Sequence, residues 1–167
     1  VTNEIANHGL DISLKKLGLK LKRVKVGDKN ILKEIVSNKY FFGGEPSGHF
    51  IFKDDLLIGD GMTTAIRLLT LILKENKKMS VLKQGIDLLE VMDINQRIDR
   101  EKFYLFQENI YQKLNELCKN LDIYYNIRPS GTEPLLRVNL QYDKRNIKVT
   151  ILNKLKKQIT KVISDAC

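Results

Sequence analysis

The chain has 167 residues, 43% of them hydrophobic, which predicts one good core or two small ones rather than a disordered protein. Its 29 Lys and Arg residues against 20 Asp and Glu give a net charge of +9, which permits a nucleic acid or a phosphorylated small molecule as partner. The lysines are scattered, however, and no aromatic residues are interleaved with a basic strip. A solvated surface is therefore favoured over a nucleic-acid-binding face. No apolar run is as long as a membrane span, so we expect no membrane partner.

Cysteine usage and the first residues indicate the cellular setting. Cys118 and Cys167 form neither a disulfide framework nor a metal-binding pattern, so both are predicted to be free thiols in a reducing compartment. The segment 1–4 has neither the basic start nor the apolar centre of a signal peptide. It also lacks an initiating Met, which suggests a processed chain or a piece of a longer protein.

Hydrophobic spacing in the first half predicts strands that alternate with helices. The predicted strands are 1–5, 19–26, 40–42 and 50–52, and the predicted helices are 10–17, 31–36 and 61–74. Asp60 is placed to cap the last of these helices. This alternation is typical of an α/β layer.

The polar, uncapped stretch 75–78 is the best candidate for a domain boundary. Beyond it we predict helices at 80–89, 103–117 and 149–162 and strands at 91–98, 123–127 and 135–140. The sequence thus predicts a partial α/β domain over 1–77, followed by an α+β C-terminal domain over 78–167.

The loop 128–134 lies between two predicted strands and is closed by a proline on each side. The Arg128 guanidinium, the Ser130 and Thr132 hydroxyls and the backbone N–H groups around Gly131 could all point at one anion. An ordinary Pro/Gly turn is the alternative interpretation. Taken alone, the loop does not decide between the two.

The loop 43–49 is the second concentration of polar residues. Its two leading glycines allow the backbone to approach a ligand closely and to adopt positive φ. Glu45 and Ser47 can accept from and donate to vicinal hydroxyls, as sugar recognition requires, and His49 can titrate near neutral pH or donate to a phosphate. A glycine-rich hairpin with an exposed charge is the alternative.

Lys25 precedes a Gly-Asp turn at the end of a predicted strand, where ligand-facing side chains of α/β layers tend to lie. A surface lysine is the alternative interpretation. The sequence has no Cys, His, Asp or Glu cluster with metal-ligand spacing, no Ser-His-Asp order and no dinucleotide-binding glycine fingerprint.

The two loops resemble signature loops of the α-D-phosphohexomutases. Residues 43–49, GGEPSGH, resemble the sugar-binding GGExSGH loop, and residues 128–134 resemble the phosphate-binding loop RPSGTEP. Residues 25–28, 58–61 and 134–138 narrow the resemblance to the bacterial phosphoglucosamine mutase branch. The resemblance covers essentially the whole chain and implies most of the third, α/β domain and all of the fourth, α+β domain of a four-domain enzyme.

The resemblance implies interconversion of glucosamine 6-phosphate and glucosamine 1-phosphate through an enzyme phosphoserine and a bisphosphate intermediate. This step belongs to cytoplasmic synthesis of amino-sugar nucleotides and cell-wall precursors. By motif position, Lys25 would lie near the reacting centre as a candidate general acid or base. Sugar hydroxyls would be held by Gly44, Glu45 and Ser47 with His49, a second catalytic candidate, beside them. The non-reacting phosphate would be held by Arg128, Ser130, Gly131 and Thr132.

Two parts of the family's machinery have no counterpart in these residues, namely the phosphorylated serine loop and the acidic magnesium loop. The resemblance therefore implies Mg²⁺ and further N-terminal domains for the full-length enzyme, but no metal site in this chain. Without a phosphoryl donor, the chain alone is expected to bind a phosphorylated hexosamine or hexose without turning it over.

Three alternatives stay open. A phosphomannomutase/phosphoglucomutase would act on another sugar, a non-catalytic phosphosugar-binding module would only bind, and a basic nucleic-acid-binding protein ranks last. We also expect the first half to be less stable than the second, since a sheet whose first strand lay before Val1 would have an exposed edge.

Overall fold

The computed structural model describes residues 1–130 and 133–166, except for the side chain of Arg100. Its internal contacts divide the chain into two compact units, Val1–Leu88 and Leu89–Cys167, which we call unit 1 and unit 2. Both units mix helices with strands, which confirms the predicted fold class.

Unit 1 is an α/β layer built on a four-stranded sheet. Its elements are β1 (Thr2–Asn3), α1 (Gly9–Lys16), β2 (Arg23–Val24), α2 (Asp28–Asn38), β3 (Phe42–Gly44), β4 (Phe50–Phe52), α3 (Gly61–Glu75) and α4 (Met79–Leu82). The strand order is β2-β1-β3-β4; β1 runs parallel to both of its neighbours, and β4 runs antiparallel to β3. The first strand thus lies inside the sheet, and β2 and β4 form its edges.

Helix α2 provides most of the core of unit 1. Its buried side chains Ile31 and Ile35 pack with Ile51 of β4, and partly buried Val1, Val24 and Leu32 surround them. This stripe at i and i+4 is the helical spacing that predicted the helix. The core is small because only three fully buried hydrophobic residues form the cluster.

Helix α3 begins as predicted but buries none of its residues. The Asp60 carboxylate accepts hydrogen bonds from the N–H groups of Met62, at 3.4 Å, and Thr63, at 2.7 Å. Hydrogen bonding by Thr63 lowers the pKa of Asp60 below its ordinary value. The helix exposes an apolar surface, with Leu73 80% exposed.

The segment after α3 packs against α1, so it belongs to unit 1 and the boundary between the units follows it. The Asp87 N–H donates to Ser13 Oγ of α1 at 3.0 Å, and Lys16 Nζ donates to Asp87 Oδ2 at 3.0 Å. A Cβ on Gly9 would lie 2.1 Å from the Asp87 carbonyl oxygen, so this contact is close. The structure therefore divides the chain after Leu88, whereas the sequence predicted a boundary after 77.

The predicted helix 80–89 is wrong. Helix α4 comprises only Met79–Leu82, and Ser80 lies inside it rather than capping it. Gly85 adopts a φ of 86°, in the left-handed region, which interrupts any continuation of the helix.

Unit 2 is an α+β fold on a three-stranded antiparallel sheet. Its elements are β5 (Glu90–Arg97), α5 (Arg100–Cys118), β6 (Ile123–Pro129), β7 (Leu135–Tyr142) and α6 (Val149–Asp165). The strand order is β5-β7-β6, so the two strands that flank the loop 128–134 pair directly.

One large core holds unit 2 together. The cluster comprises thirteen buried residues from all three strands and both helices: Ile94, Ile98, Phe103, Ile110, Leu114, Cys118, Ile127, Leu136, Val138, Leu140, Leu155, Ile159 and Ile163. Cys118 is a free thiol, as predicted, and burial raises its pKa. Because alternate residues of a strand face opposite sides, the face away from this core carries Arg128, Arg137 and Asn139.

Within the described residues, no helix combines the length and the apolar character that crossing a bilayer requires.

Candidate ligand-binding loops

The loop 43–49 forms a tight hairpin between β3 and β4. The Glu45 N–H donates to the His49 carbonyl at 3.0 Å, and the Gly48 N–H donates to the Glu45 carbonyl at 3.0 Å. Gly48 has a φ of 92°, which an L side chain rarely adopts. The backbone of the loop is thus closed on itself by its own hydrogen bonds.

The two leading glycines are required by neighbouring side chains of unit 1 that leave no room for a Cβ. A Cβ on Gly43 would lie 2.4 Å from Ile31 Cγ2, and one on Gly44 would lie 2.2 Å from Phe50 Cδ1. Neither residue has positive φ; in this loop that conformation occurs at Gly48. The positive φ that the sequence allows at these two glycines is not adopted, and their close approach is to neighbouring protein atoms.

Glu45 is the buried centre of the loop, with its side chain 8% exposed. Its Oε1 accepts from Asn3 Nδ2 at 2.9 Å and from the Gly27 N–H at 2.9 Å. A carboxylate oxygen that accepts from two N–H donors is fixed in orientation. The second oxygen, Oε2, lies 3.9 Å from His49 Nδ1.

Ser47 and His49 form the exposed part of the loop. Ser47 Oγ and His49 Nδ1 are 3.0 Å apart and form a hydrogen bond. The His49 side chain is 57% exposed, so it is open to a ligand as well as to water. The hairpin therefore presents a hydroxyl, an imidazole and a carboxylate edge close together, a set that can bind sugar hydroxyls.

The turn that contains Lys25 is brought next to this loop. Lys25 is exposed directly after β2, and Asn30 Nδ2 donates to the Lys25 carbonyl at 3.3 Å and to the Val26 carbonyl at 3.0 Å. The Gly27 N–H then reaches the Glu45 carboxylate. Two segments that the sequence singled out separately are thus joined by one hydrogen bond.

The loop 128–134 is anchored at both strand ends. The Ser130 N–H donates to the Leu135 carbonyl at 2.7 Å, and Ser130, 2% exposed, accepts at Oγ from the Glu133 N–H at 3.4 Å. The Ile98 N–H donates to the Pro134 carbonyl at 3.0 Å. The predicted phosphate ligands Gly131 and Thr132 lie outside the described residues.

Arg137 is a candidate that the sequence reasoning missed as a ligand. It is paired in register with Arg128 across β6 and β7, so both guanidinium groups lie on the same face of the sheet. Its Nη2 donates to Glu133 Oε2 at 2.8 Å, while its buried Nε has no hydrogen-bond partner among the described residues. The alternation along each predicted strand indicates which residues share a face of the sheet. The pairing register is what makes Arg128 and Arg137 neighbours.

In 1–130 and 133–166 there is no group of three or more His, Cys, Asp or Glu side chains that could hold a metal ion. The described residues therefore do not fit a magnesium site.

Residues 1–88 match the family description "Phosphoglucomutase/phosphomannomutase, alpha/beta/alpha domain III". The chain belongs to this family. The mutase family match covers unit 1, and its end at residue 88 coincides with the end of that unit.

Relatives extend the similarity across unit 2. The chain is 36% identical to a phosphoglucosamine mutase of Ruminiclostridium cellulolyticum over 98% of its own length, and 39% identical to one of Clostridium botulinum strain Hall over 84%. It spans only 36% and 32% of these two mutases, about a third of each. It is also similar in fold to an Aspergillus fumigatus N-acetylphosphoglucosamine mutase solved with GlcNAc-6P and magnesium, with a TM-score of 0.78 at 14% identity, covering 99% of this chain and 38% of that one.

Proposed function

We propose that this chain is the part of a phosphoglucosamine mutase that recognises the phosphosugar, and that the full-length enzyme interconverts glucosamine 6-phosphate and glucosamine 1-phosphate in the cytoplasm. The observation that carries the proposal is the buried Glu45 carboxylate, which joins the hairpin 43–49 to the Lys25 turn. The two bacterial relatives named above, both phosphoglucosamine mutases, support the choice of sugar.

In this proposal the hairpin of unit 1 reads the sugar. Gly44, Glu45 and Ser47 hold hydroxyl groups, because a fixed carboxylate accepts and a serine hydroxyl both donates and accepts. His49 lies beside them and shares a hydrogen bond with Ser47. Lys25 assists proton transfer at the reacting oxygen as general acid or base.

The loop of unit 2 holds the phosphate that is not being transferred. Arg128 supplies a guanidinium fork that can bind two phosphate oxygens, and Arg137 lies opposite it on the same sheet face. Ser130, Gly131 and Thr132 add hydroxyl and backbone N–H donors. A grip based on charge suits a substrate that must be held in either of two orientations.

The mechanism in the full-length protein passes through an enzyme phosphoserine and a bisphosphate intermediate. The phosphoserine gives its phosphate to one sugar oxygen, the intermediate reverses its orientation, and the other phosphate returns to the serine. Magnesium would neutralise phosphate charge there, at residues outside this chain. The groups of this chain bind the sugar, orient it and hold the distal phosphate throughout.

Relative rates on different sugars test the proposal. We expect the full-length enzyme to have a higher kcat/KM for glucosamine 1-phosphate than for glucose 1-phosphate or mannose 1-phosphate. A preference for either of the latter would instead assign the phosphoglucomutase or phosphomannomutase activity that the family description also allows.

The isolated 167-residue chain should bind glucosamine 6-phosphate without converting it, because it carries no phosphoryl donor. Calorimetric titration measures the binding, and a coupled assay for glucosamine 1-phosphate measures the conversion. Turnover by the isolated chain would contradict this division. A full-length protein that bound the phosphosugar with no turnover would favour a non-catalytic binding module.

A further inference from the structure

We propose that Asn3 is a positioning residue of the sugar site, which holds the Glu45 carboxylate and, through it, the Lys25 turn in the geometry that the reaction needs. The inference rests on the proposed function, because it gives Asn3 a role in that same site. Asn3 lies far from the polar loops in the sequence and belongs to no motif singled out there.

The contacts of Asn3 converge on one oxygen atom. Asn3 is 1% exposed, and its Nδ2 donates to Glu45 Oε1 at 2.9 Å. The Gly27 N–H donates to the same oxygen at 2.9 Å. Three segments that are distant in the sequence therefore share one carboxylate oxygen, and the other oxygen, Oε2, is not used by either donor.

The backbone of Asn3 is itself fixed. It pairs in register with Val24 of β2, and Arg23 Nη1 donates to the carbonyl oxygens of Asn3 at 3.2 Å and of Ala6 at 2.8 Å. In the same strand, Thr2 Oγ1 donates to the Gly44 carbonyl at 2.8 Å. Strand β1 thus holds the Asn3 amide in a fixed position beside the hairpin.

The side chain of Asn3 includes a buried polar atom that lowers the stability of the fold, which points to a functional role for this residue. Asn3 Oδ1 is buried and has no hydrogen-bond partner among the described residues. An unsatisfied buried acceptor destabilises the fold, so an apolar residue would suit a purely structural position better. Positions that break such a rule without a compensating gain in packing are typical of functional sites.

An asparagine fits the task because its amide donates a hydrogen bond without carrying charge. Aspartate has the same shape but would set a second carboxylate against Glu45, and alanine would leave one donor missing. Two donors on Oε1 restrict the rotation of the Glu45 carboxylate, so that Oε2 is presented to a sugar hydroxyl in one orientation.

The test is a double-mutant cycle in the full-length protein, with kcat/KM for glucosamine 1-phosphate as the readout. We expect Asn3→Ala to lower kcat/KM on the order of 10- to 100-fold, the effect of losing one hydrogen bond to a charged group. Asn3→Asp should lower it at least as far. In a Glu45→Ala background, Asn3→Ala should add little further loss, because the group that it positions is already gone.

Ser13→Ala is the matched control. Ser13 is also buried in unit 1, at 4% exposure, and its Oγ donates to the Gly9 carbonyl at 2.8 Å and accepts from the Asp87 N–H. The variant should lower the melting temperature but leave kcat/KM close to that of the unmodified protein, with or without Glu45→Ala.

The possible results distinguish a failure of this inference from a failure of the proposed function. A full-length protein that converts no hexose or hexosamine phosphate would remove the proposed function, and the role of Asn3 with it. An active protein in which Asn3→Ala behaves like Ser13→Ala, or in which the effects of Asn3→Ala and Glu45→Ala multiply independently, would overturn the inference alone.

Discussion

The two units hold their polar loops by different means. In unit 2 the loop 128–134 ends two strands that pack into a cluster of thirteen buried residues. In unit 1 the hairpin 43–49 lies beside a cluster of only three buried hydrophobic residues, and its Glu45 side chain is held by hydrogen bonds from Asn3 and Gly27. Apolar burial of about 25 cal/mol per Å² favours the larger core, so unit 2 should be the more stable. The loop of unit 2 thus depends on apolar packing, and the hairpin of unit 1 depends on a polar network.

Unit 1 also leaves more apolar surface uncovered. Helix α3 buries none of its fifteen residues, and a groove of about 460 Å³ lies beside the sheet, lined among others by Leu10, Leu14 and Phe50. These surfaces contribute no burial to the stability of the unit. The expectation of a less stable first half thus stays a prediction, now with a second physical reason beyond the edges of its sheet.

The largest expected effect comes from the core of unit 2. Leu136 is 0% exposed near the start of β7, the central strand of the sheet, so Leu136→Ala should lower the free energy of unfolding of unit 2 by about 2–5 kcal/mol. Native-state amide exchange of β7 and β3 measures both units in one experiment. Leu105→Ala, at a residue 77% exposed on α5, is the control and should change little. Equal protection of β3 and β7 in the unmodified chain would contradict the comparison.

The next effect tests the phosphate loop. Arg128→Ala in the full-length enzyme should weaken substrate binding by ~1.5–3 kcal/mol, because a charge-assisted hydrogen bond is lost. Steady-state kinetics measures it as changes in KM and kcat/KM. Lys154→Ala removes the same charge from the exposed face of α6 and should have no such effect. Unchanged KM and kcat/KM in Arg128→Ala would argue against the phosphate assignment.

A smaller effect concerns the packing of the hairpin in unit 1. Gly43→Ala should destabilise unit 1 by about 1–3 kcal/mol, since its new methyl group would overlap Ile31 in a core that has few residues to rearrange. Gly61→Ala is the control, because nothing lies within 4 Å of its Cβ position, and it should be neutral or stabilising by about 0.4–1 kcal/mol. Urea titration followed by the resonances of β3 measures both, and wild-type stability in Gly43→Ala would show that the core yields.

The smallest effect depends on pH and belongs to unit 2. The Arg145 side chain donates to Asp143 and lowers the pKa of that carboxyl to about 2. Because the folded pKa lies below the unfolded one, the stabilisation is complete above about pH 4 and is lost as the pH falls toward 2. Asp143→Asn should therefore be less stable than the unmodified chain at pH 6, with the difference vanishing near pH 2. Thermal unfolding measures it, and Arg145→Ala should show the same trend.

Much of the fold could be predicted because the local signals agreed. The amphipathic stripes of α2, α5 and α6, the Asp60 cap and the strand–loop–strand pattern around 128–134 each depend on residues close in sequence. The segment 79–88 could not be predicted in this way, since Gly85 and the contacts of Asp87 with α1 override a weak helical pattern. The contacts of Asp87 with α1 also explain why the units divide after Leu88 rather than after residue 77.

The candidate site likewise has features that could be predicted from local sequence and features that depend on the fold. The family, the two loops and the residue types that each loop presents could be predicted from the sequence, because these are contiguous motifs whose chemistry is local. The fold was needed to show that Glu45 is buried and hydrogen-bonded to Gly27 and Asn3, and that Arg137 lies opposite Arg128. These relations depend on parallel pairing around β1 and on the register of β6 with β7, and register is a property of paired strands that no single segment contains.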